Sequence, residues 1–365
     1  NVDDALVEEI KAKIDATLDA SLSYEDLMNQ IKALGEDSSA KILSAYLQTL
    51  GVNAHYVNPK DAGIIVKNDP HGAQLLKDSY EKIYTLREKD GVLVIPGFFG
   101  FTKDGQLATF SRGGSDITGA IVSAGVEATL YENFTDVDSV YAVNPSIVEN
   151  PHEIKQLTYR EMRELSYAGF SVFHDEALIP AFNARIPVCI KNTNNPSAPG
   201  TMIVADREID DKCVVGIASD TGFSSLYVSK FLMNREIGFG RKLFQILENE
   251  QVSFEHSPSG IDDMSIIIRD SQLTEEKEQK IVKRIYDELH ADFVAFHRDL
   301  ALIMVVGEGM NEAIGMAQTA TTALGEANVN LEMINQGSSE VSMMFGIKAN
   351  DLHRAIKALY RAYFE

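Results

Sequence analysis

The stretch Phe110-Ser111-Arg112-Gly113-Gly114-Ser115-Asp116-Ile117-Thr118-Gly119-Ala120 combines a cation, bare backbone and a helix start within a few residues. Its two glycines let the backbone approach a ligand closely. The Ser-Asp pair suits a helix cap, and the small residues that follow favour a helix over residues 115–124. Free N–H groups at that helix start, together with the guanidinium of Arg112, would attract a carboxylate or phosphate. Alone, such a turn serves structure more often than binding.

The chain up to about Gly200 alternates helical and strand patterns, which is typical of a doubly wound α/β sheet. The predicted helices cover residues 2–18, 38–50, 72–89, 115–124, 159–168 and 176–183, and the predicted strands cover residues 63–66, 92–95, 128–131 and 188–191. Ligands bind such sheets at the carboxyl ends of the strands. Phe98 and Asp136 follow two of these ends, so both are candidates for a binding site.

The second half of the chain contains an internal repeat. Asn234, Ile237 and Gly238 recur 77 residues later as Asn311, Ile314 and Gly315. Each copy has the predicted order strand, helix, strand, strand, helix. The first copy opens with a strand over residues 225–232 and a helix over 238–250. The second copy opens with a strand over residues 302–306 and a helix over 311–324, and it ends with a helix over 351–363. The second copy lacks a closing strand, whereas residues 213–218 form a strand without a partner. We therefore predict that the strand over residues 213–218 completes the second copy, so that the first copy is inserted within the second.

Composition narrows the class of protein. The 365 residues allow two or three domains, and the net charge of −21 argues against nucleic-acid and anionic-membrane partners. Two cysteines are too few for a disulfide framework, which suits the cytoplasm. No apolar run approaches the ~20 residues of a membrane helix, and no secretory segment opens the chain. The histidines show no metal spacing, so we predict no protein-held metal.

Further motifs flank the opening stretch in a fixed order. They are Gly35-Glu36-Asp37-Ser38-Ser39-Ala40-Lys41, Val94-Ile95-Pro96-Gly97-Phe98-Phe99-Gly100 and Asn133-Phe134-Thr135-Asp136-Val137-Asp138-Ser139-Val140-Tyr141. Together they resemble the aspartokinases from about Asp26 to the C-terminus. The resemblance implies an α/β fold: an amino-acid-kinase-like, mostly parallel sheet with helices on both faces, then tandem ferredoxin-like βαββαβ ACT modules, one inserted in the other. The implied domains are 1–205 (kinase), 222–296 (first ACT) and 206–221 plus 297–365 (second ACT).

The same resemblance implies an activity: ATP-dependent phosphorylation of the L-aspartate side chain to 4-phospho-L-aspartate, the first step towards lysine, threonine and methionine. Other amino-acid kinases and a non-catalytic, amino-acid-binding regulatory subunit are the alternatives. Aspartokinases begin with a strand bearing a Lys-Phe-Gly-Gly motif whose lysine stabilises the phosphates of ATP. The chain has no such motif, so either a segment precedes Asn1 or the chain is a natural truncation, and we expect a preceding segment.

By resemblance, Arg112 and Asp116 are catalytic. Arg112 binds a carboxylate of the substrate, Glu36 its ammonium group, and Phe98, Ser115 and Asp116 complete the aspartate pocket. Thr135, Asp136 and Tyr141 would contact ATP, which brings its own Mg²⁺. Ser146 and Asn194 depart from basic residues common in the family. Without the family context, Glu36 could equally cap a helix, and Phe98 could be core.

In the first ACT copy, six residues match positions that hold a feedback amino acid in lysine-sensitive relatives: Met233, Gly238, Phe239, Ser253, Phe254 and Glu255. Packing alone explains them about as well. Lysine is the expected effector and threonine the second choice. Since ACT modules commonly pair, we also expect a homodimer, or a tetramer built from dimers.

Overall fold

The computed structural model describes residues 3–69, 72–111, 113–170, 175–209, 213–337 and 341–365. The chain forms two compact units. The first comprises Asn1–Val140, Lys155–Met162 and Ser171–Arg207, and the second comprises Tyr141–Ile154, Arg163–Phe170 and Glu208–Glu365. The domain limits drawn from the sequence stay predictions. Within the described residues, no helix has the length and apolar character needed to cross a bilayer.

Helices and strands alternate along most of the chain. The helices are α1 (Asp4–Leu18), α2 (Tyr24–Thr49), α3 (Pro59–Ala62), α4 (Ser79–Tyr84), α5 (Gly114–Gly125), α6 (Tyr159–Tyr167), α7 (Ile179–Ala184), α8 (Phe239–Asn249), α9 (Glu275–Arg284), α10 (Met316–Glu326) and α11 (Leu352–Phe364). The strands are β1 (Ala54–Tyr56), β2 (Val66–Lys67), β3 (Gln74–Leu75), β4 (Val92–Val94), β5 (Phe99–Phe101), β6 (Leu107–Thr109), β7 (Tyr131–Thr135), β8 (Val140–Tyr141), β9 (Glu153–Ile154), β10 (Gln156–Thr158), β11 (Val188–Asn192), β12 (Thr201–Val204), β13 (Gly216–Ser229), β14 (Asp263–Arg269), β15 (Phe293–Val306), β16 (Met333–Gln336) and β17 (Ser342–Lys348).

Parallel strand pairs form the framework of the first unit. One sheet has the order β10-β12-β11-β7, in which β7 runs parallel to β11 and β10 parallel to β12. Strands β1 and β4 form another parallel pair. Helix α2 packs on β1 and β4, and α5 packs on β7. The mostly parallel α/β architecture predicted from the sequence is confirmed.

Several element limits in the first unit differ from the prediction. The helix expected from residue 38 begins at Tyr24, because the Ser23 hydroxyl caps the N–H of Asp26. Glu36 therefore lies inside a helix, and its interpretation as a capping carboxylate is wrong. The helix expected from residue 72 begins at Ser79, since β3 pairs with β2. The strand expected at residues 128–131 starts at Tyr131, because the Ala128 N–H still closes the end of α5 on the Ser123 carbonyl.

A buried ion pair joins two distant parts of the first unit. The Arg207 guanidinium donates to both carboxylate oxygens of Glu161, at 2.9 and 2.7 Å. Both side chains are almost completely buried, at 6% and 0% exposed. Glu161 also accepts the backbone N–H of Thr158 at the start of α6. The pair therefore holds the chain that leaves β12 against that helix.

The second unit is built on a five-stranded antiparallel sheet of order β14-β13-β15-β17-β16. Strands β13 and β15 are each 14 residues long. The first part of β13 pairs with the last part of β15, beside β17, while the rest of β13 lies beside β14. Helices α8 and α9 cover this second region, with Leu226, Leu243, Ile266 and Ile281 in its core. The early strand thus joins the second copy, as the insertion interpretation requires.

The repeat seen in the sequence is also a repeat of backbone conformation. Gly238 and Gly315 both adopt left-handed φ, 83° and 91°, and both are N-caps, of α8 and α10. Helix α10 consequently starts at Met316, later than the sequence indicated. A second left-handed pair, Gly222 and Asp299, lies where the pairing of the two long strands shifts register. Such a bulge bends a strand pair without ending it.

Candidate functional site

The N-terminus of α5 is the point where the predicted substrate residues gather. Gly113, with φ of 77°, is the N-cap, and no side chain caps the helix. Ser115 and Asp116 lie in the first turn, so the expectation that they cap the helix is wrong. An uncapped helix start presents N–H groups and a positive dipole end to a ligand. Arg112 lies outside the described residues.

Glu36 reaches this helix start from α2. The Ser115 hydroxyl donates to Oε1 of Glu36 at 3.3 Å, although the two residues are 79 positions apart. Ser115 is exposed and Glu36 is half-buried. The contact places a carboxylate beside the positive end of α5, where a zwitterionic ligand could meet both charges.

Phe98 lies in the loop beside the same helix start and has φ of 75°. A bulky residue in this conformation is an outlier, and such outliers concentrate at functional sites. Its N–H donates to the Thr118 hydroxyl at 3.0 Å, and its carbonyl accepts the N–H of Phe110 at 2.8 Å. A Cβ on Gly114 would stand 2.7 Å from the Phe98 ring, so this approach requires glycine.

Asp116 is oriented by strand β7. The Asn133 side-chain amide donates to Oδ1 of Asp116 at 2.9 Å, and the Tyr131 hydroxyl donates to the Asp116 carbonyl at 3.2 Å. Burial raises the pKa of Tyr131 to about 12, against the opposing hydrogen bond from Asn133. The phenol therefore remains a donor. Sequence reasoning assigned no role to either residue, although their alternate spacing along a strand puts both on one face.

The carboxyl end of β7 carries two of the three predicted nucleotide contacts. Thr135 is the last strand residue, and its hydroxyl donates to Asp136 at 3.2 Å. The Thr135 carbonyl accepts the N–H of Thr193, which fixes the strand end. Asp136 is exposed. Tyr141 belongs to the second unit, so its place beside these residues stays a prediction.

Polar side chains stabilise the loops that follow β7, β8 and β11. Asp138 accepts the side-chain amides of Asn192 and Asn195, at 2.7 and 3.3 Å. The backbone N–H groups of Ser146 and Asn194, the two departures from the family pattern, donate to asparagine side chains two residues earlier. Among the described residues, no group of three or more His, Cys, Asp or Glu could hold a metal ion.

A second open helix start lies in the second unit. Gly238 is exposed, and a Cβ placed there would meet nothing within 4 Å. Glu236 nearby is bonded by Lys230 and Lys242, which lower its pKa. Two lysine ammonium groups therefore offset the negative charge of Glu236 near the start of α8. Met233 and Phe239 are buried, at 8% and 4% exposed, and belong to the core.

The segment that carries the other predicted effector residues is held by polar contacts. Ser253 donates through its N–H and its hydroxyl to Gln272, at 2.8 and 2.9 Å. Phe254 stacks on Phe244 with 4.6 Å between ring centroids. The Glu255 carboxylate already has two partners. It accepts a hydrogen bond from Nε of Arg269 at 3.1 Å and a second one from the Tyr167 hydroxyl. An effector ammonium would have to share this carboxylate with Arg269.

Comparison with known proteins decides the family. The model of the amino acid kinase family matches residues 4–192, and an ACT domain model matches residues 303–363. Aspartokinase 3 of Bacillus subtilis is 59% identical over 361 residues, which cover 99% of the chain and 80% of that protein. The chain belongs to the aspartokinase family. It is therefore an aspartate kinase, an enzyme with an amino-acid-kinase fold and an ACT regulatory domain.

Solved structures of aspartokinases agree with this fold. The crystal structure of Clostridium acetobutylicum aspartate kinase has a TM-score of 0.87 and 40% identity, covering all of this chain and 80% of that one. Two structures of E. coli aspartokinase III, with aspartate and ADP and with lysine and aspartate, each have a TM-score of 0.77 at 22% identity. They cover 99% of this chain and 81% and 80% of theirs, and show the shared fold.

In this aspartokinase, the structure brings Glu36, Phe98, Ser115 and Asp116 together around one helix start. Thr135 and Asp136 are two and three residues beyond Asn133, the residue that holds Asp116. The predicted effector residues divide into an exposed set, Gly238, Ser253 and Phe254, and a buried or paired set. Whether these residues bind the ligands assigned to them stays a prediction.

Proposed function

We propose that the enzyme uses ATP, with Mg²⁺ bound to the nucleotide, to phosphorylate the side-chain carboxylate of L-aspartate, giving 4-phospho-L-aspartate. The observation that carries the proposal is the meeting of Glu36, Ser115 and Asp116 at the uncapped start of α5. This arrangement supplies an anion for the substrate ammonium beside a positive helix end for a carboxylate. E. coli aspartokinase III, which shares the fold, was crystallised with aspartate and ADP.

The chemistry needs no covalent intermediate on the protein. An oxygen of the substrate's side-chain carboxylate forms a bond to the γ-phosphorus, and the bond from that phosphorus to the departing ADP oxygen breaks. Arg112 and Glu36 bind the α-carboxylate and ammonium groups, which aligns the nucleophile. Thr135, Asp136 and Tyr141 bind the nucleotide at the end of β7. Asp116, fixed by Asn133, orients a phosphate-binding cation. We place the reaction in the cytoplasm, from the cysteine content alone.

Trapping the product tests this function. The native full-length enzyme, with ATP, aspartate and hydroxylamine, should form aspartate hydroxamate. Equal or faster turnover of glutamate would overturn the substrate assignment. Arg112→Lys should already reduce kcat/KM for aspartate, because a point charge cannot replace two parallel hydrogen bonds. Aspartate kinetics equal to those of the wild type in a folded variant would show that Arg112 has no part in binding.

We further propose that lysine, with threonine as the second choice, inhibits the enzyme by binding at the start of α8. The kinase domain would be 1–205, the first ACT domain 222–296, and the second 206–221 plus 297–365. Ile237 and Ile314, at equivalent positions of the two copies, are fully exposed at 97% and 103%. Both side chains are available for contacts in the association that we propose through the ACT domains, as a homodimer or a tetramer of dimers.

Inhibition assays test the regulatory site. Gly238→Val should block the helix start and relieve inhibition by lysine, and Glu255→Ala should remove the ammonium partner. Neither residue lies in the proposed kinase domain. Because Glu255 accepts the Tyr167 hydroxyl, Gly238→Val is the variant expected to keep uninhibited turnover near that of the wild type. If neither lysine nor threonine inhibits the native enzyme, the effector assignment is wrong.

A further inference from the structure

Asp37, the residue after Glu36 on α2, is a buried carboxylate with partners on two other elements. Its side chain is 4% exposed, and Oδ2 accepts a hydrogen bond from Nζ of Lys13, on α1, at 2.7 Å. Oδ1 accepts the hydroxyl of Tyr56, on β1. Lys41, one helical turn further along α2, places its ammonium 4.0 Å away. Asp37 thus ties α1, α2 and β1 together.

The hydroxyl of Tyr56 is a dependable donor in this cluster. Burial, reinforced by the hydrogen bond to Asp37, raises the pKa of Tyr56 well above its usual value. The phenol therefore keeps its proton, and it also accepts the Asn58 amide at 3.2 Å. Hydrogen bonds to a charged group are worth about twice neutral ones, so the cluster is a firm attachment.

A cleft adjoins this part of α2. The cleft has a volume of about 430 Å³, and its lining includes Leu34 and Asp37 of α2, Lys13 of α1, and Phe99 and Leu107 of the β5–β6 hairpin. The Lys13–Asp37 ion pair therefore lies in the wall of this cleft, where it links α1 to α2. A hydrogen bond between Asn29 and Thr109 holds the helix about two turns earlier. Near Glu36, the polar cluster attaches α2 to α1 and β1.

We propose that Asp37 is a positioning residue for the aspartate site, because it fixes α2 so that the Glu36 carboxylate stays within reach of Ser115. Successive residues of a helix point about 100° apart, so Asp37 can face the interior while Glu36 faces α5. The inference rests on the proposed function, in which Glu36 receives the ammonium group of aspartate. Asp37 itself touches no substrate.

Steady-state kinetics of the native full-length enzyme test this role. Asp37→Asn keeps the shape of the side chain but removes the charge that Lys13 meets. The KM for aspartate should rise about tenfold, while the KM for ATP stays unchanged, because the loss falls on binding of one substrate. Lys13→Met should change the aspartate KM in the same direction, and Lys13→Arg should restore it. Lys11→Met is the matched control, since Lys11 pairs with Glu8 on the exposed face of the same helix.

A merely structural role gives a different pattern. It would lower the fraction of folded enzyme, and so the apparent kcat, with both KM values unchanged. That result would overturn the proposal. An equal rise of both KM values would also overturn it, and so would unchanged kinetics in folded Asp37→Asn. If Asp37→Asn does not fold, Lys13→Met and Tyr56→Phe, which each remove one donor, decide by the same criterion. Failure of the proposed function is distinct, because then the unmodified enzyme gives no hydroxamate.

Discussion

Replacing Asn133 tests whether β7 sets the state of Asp116, the carboxylate that we propose to be catalytic. In the structure, the Asn133 amide donates to Asp116 across 2.9 Å. Losing a hydrogen bond to a charged group costs about 1.5–3 kcal/mol, or about 10- to 150-fold in rate at ~1.4 kcal/mol per decade. Asn133→Ala should therefore lower kcat/KM within that range.

Above neutral pH, Asn133→Asp should have a lower kcat/KM for aspartate than Asn133→Ala. Two carboxylates separated by the same 2.9 Å would repel by about 6 kcal/mol at an effective dielectric constant of ~20. Such a pair avoids this repulsion by binding one proton, so the pKa of one carboxyl rises. As the pH falls through that raised pKa, an O–H to O⁻ hydrogen bond replaces the repulsion. Activity relative to the wild type should therefore recover towards acid pH.

The assay is the pH profile of kcat/KM for aspartate, followed by hydroxamate formation or ADP release. Glu132→Gln, on the opposite face of β7, is the matched control and should follow the wild type at every pH. The reasoning is refuted if Asn133→Asp keeps more than a third of the wild-type activity and the ratio does not change with pH. Asp116 would then not depend on its strand neighbour.

Three further predictions concern stability. Glu161→Gln should lower the free energy of unfolding by about 3–5 kcal/mol, because it leaves the buried Arg207 charge uncompensated; chemical denaturation measures this, and a change below 1 kcal/mol would contradict it. Burial lowers the pKa of His256, against the opposing charges of Glu255 and Glu164. Stability should therefore be complete above the unfolded pKa of ~6.5 and decline as the pH falls from there towards the folded pKa; Tm measured against pH should lose this slope in His256→Gln. Gly119→Ala should lower both Tm and kcat, since its Cβ would lie 2.5 Å from the Tyr131 hydroxyl; unchanged values would show that the ring can move.

Local signals predicted the helices best. Residues 115–124 were expected as a helix, and α5 covers Gly114–Gly125, because small residues after a Gly-Gly turn determine it locally. The start of β7 was wrong by three residues, since the last turn of α5 extends to Ala128 through a backbone hydrogen bond. The sequence marks the end of α5 with Gly125, but it does not show that the backbone hydrogen bond of Ala128 delays the start of the strand.

Contacts across long sequence separations were beyond sequence reasoning. Glu36 and Ser115 were associated through family resemblance, and their hydrogen bond spans 79 positions. The Asn133–Asp116 bond and the cluster around Asp37 were not predicted, because each depends on how two elements pack. Glu255 was expected to have a carboxylate available for a ligand, yet the fold supplies Arg269 as its partner. Residue type indicates the chemistry that a side chain can perform, while packing decides which partner it meets.

The bulge shared by the two long strands bears on how this regulatory sheet could have arisen. On one side of it Thr221 pairs with Ala301, and on the other Phe223 pairs with Leu300. Adjoining strands lie about 5 Å apart, so removing the chain between Gly222 and Asp299 would leave two ends that a tight turn could join. What remained would be an ordinary β-hairpin. One module is thus inserted between two paired strands of the other module. Gene duplication followed by insertion can produce this arrangement without disrupting the sheet of the second module.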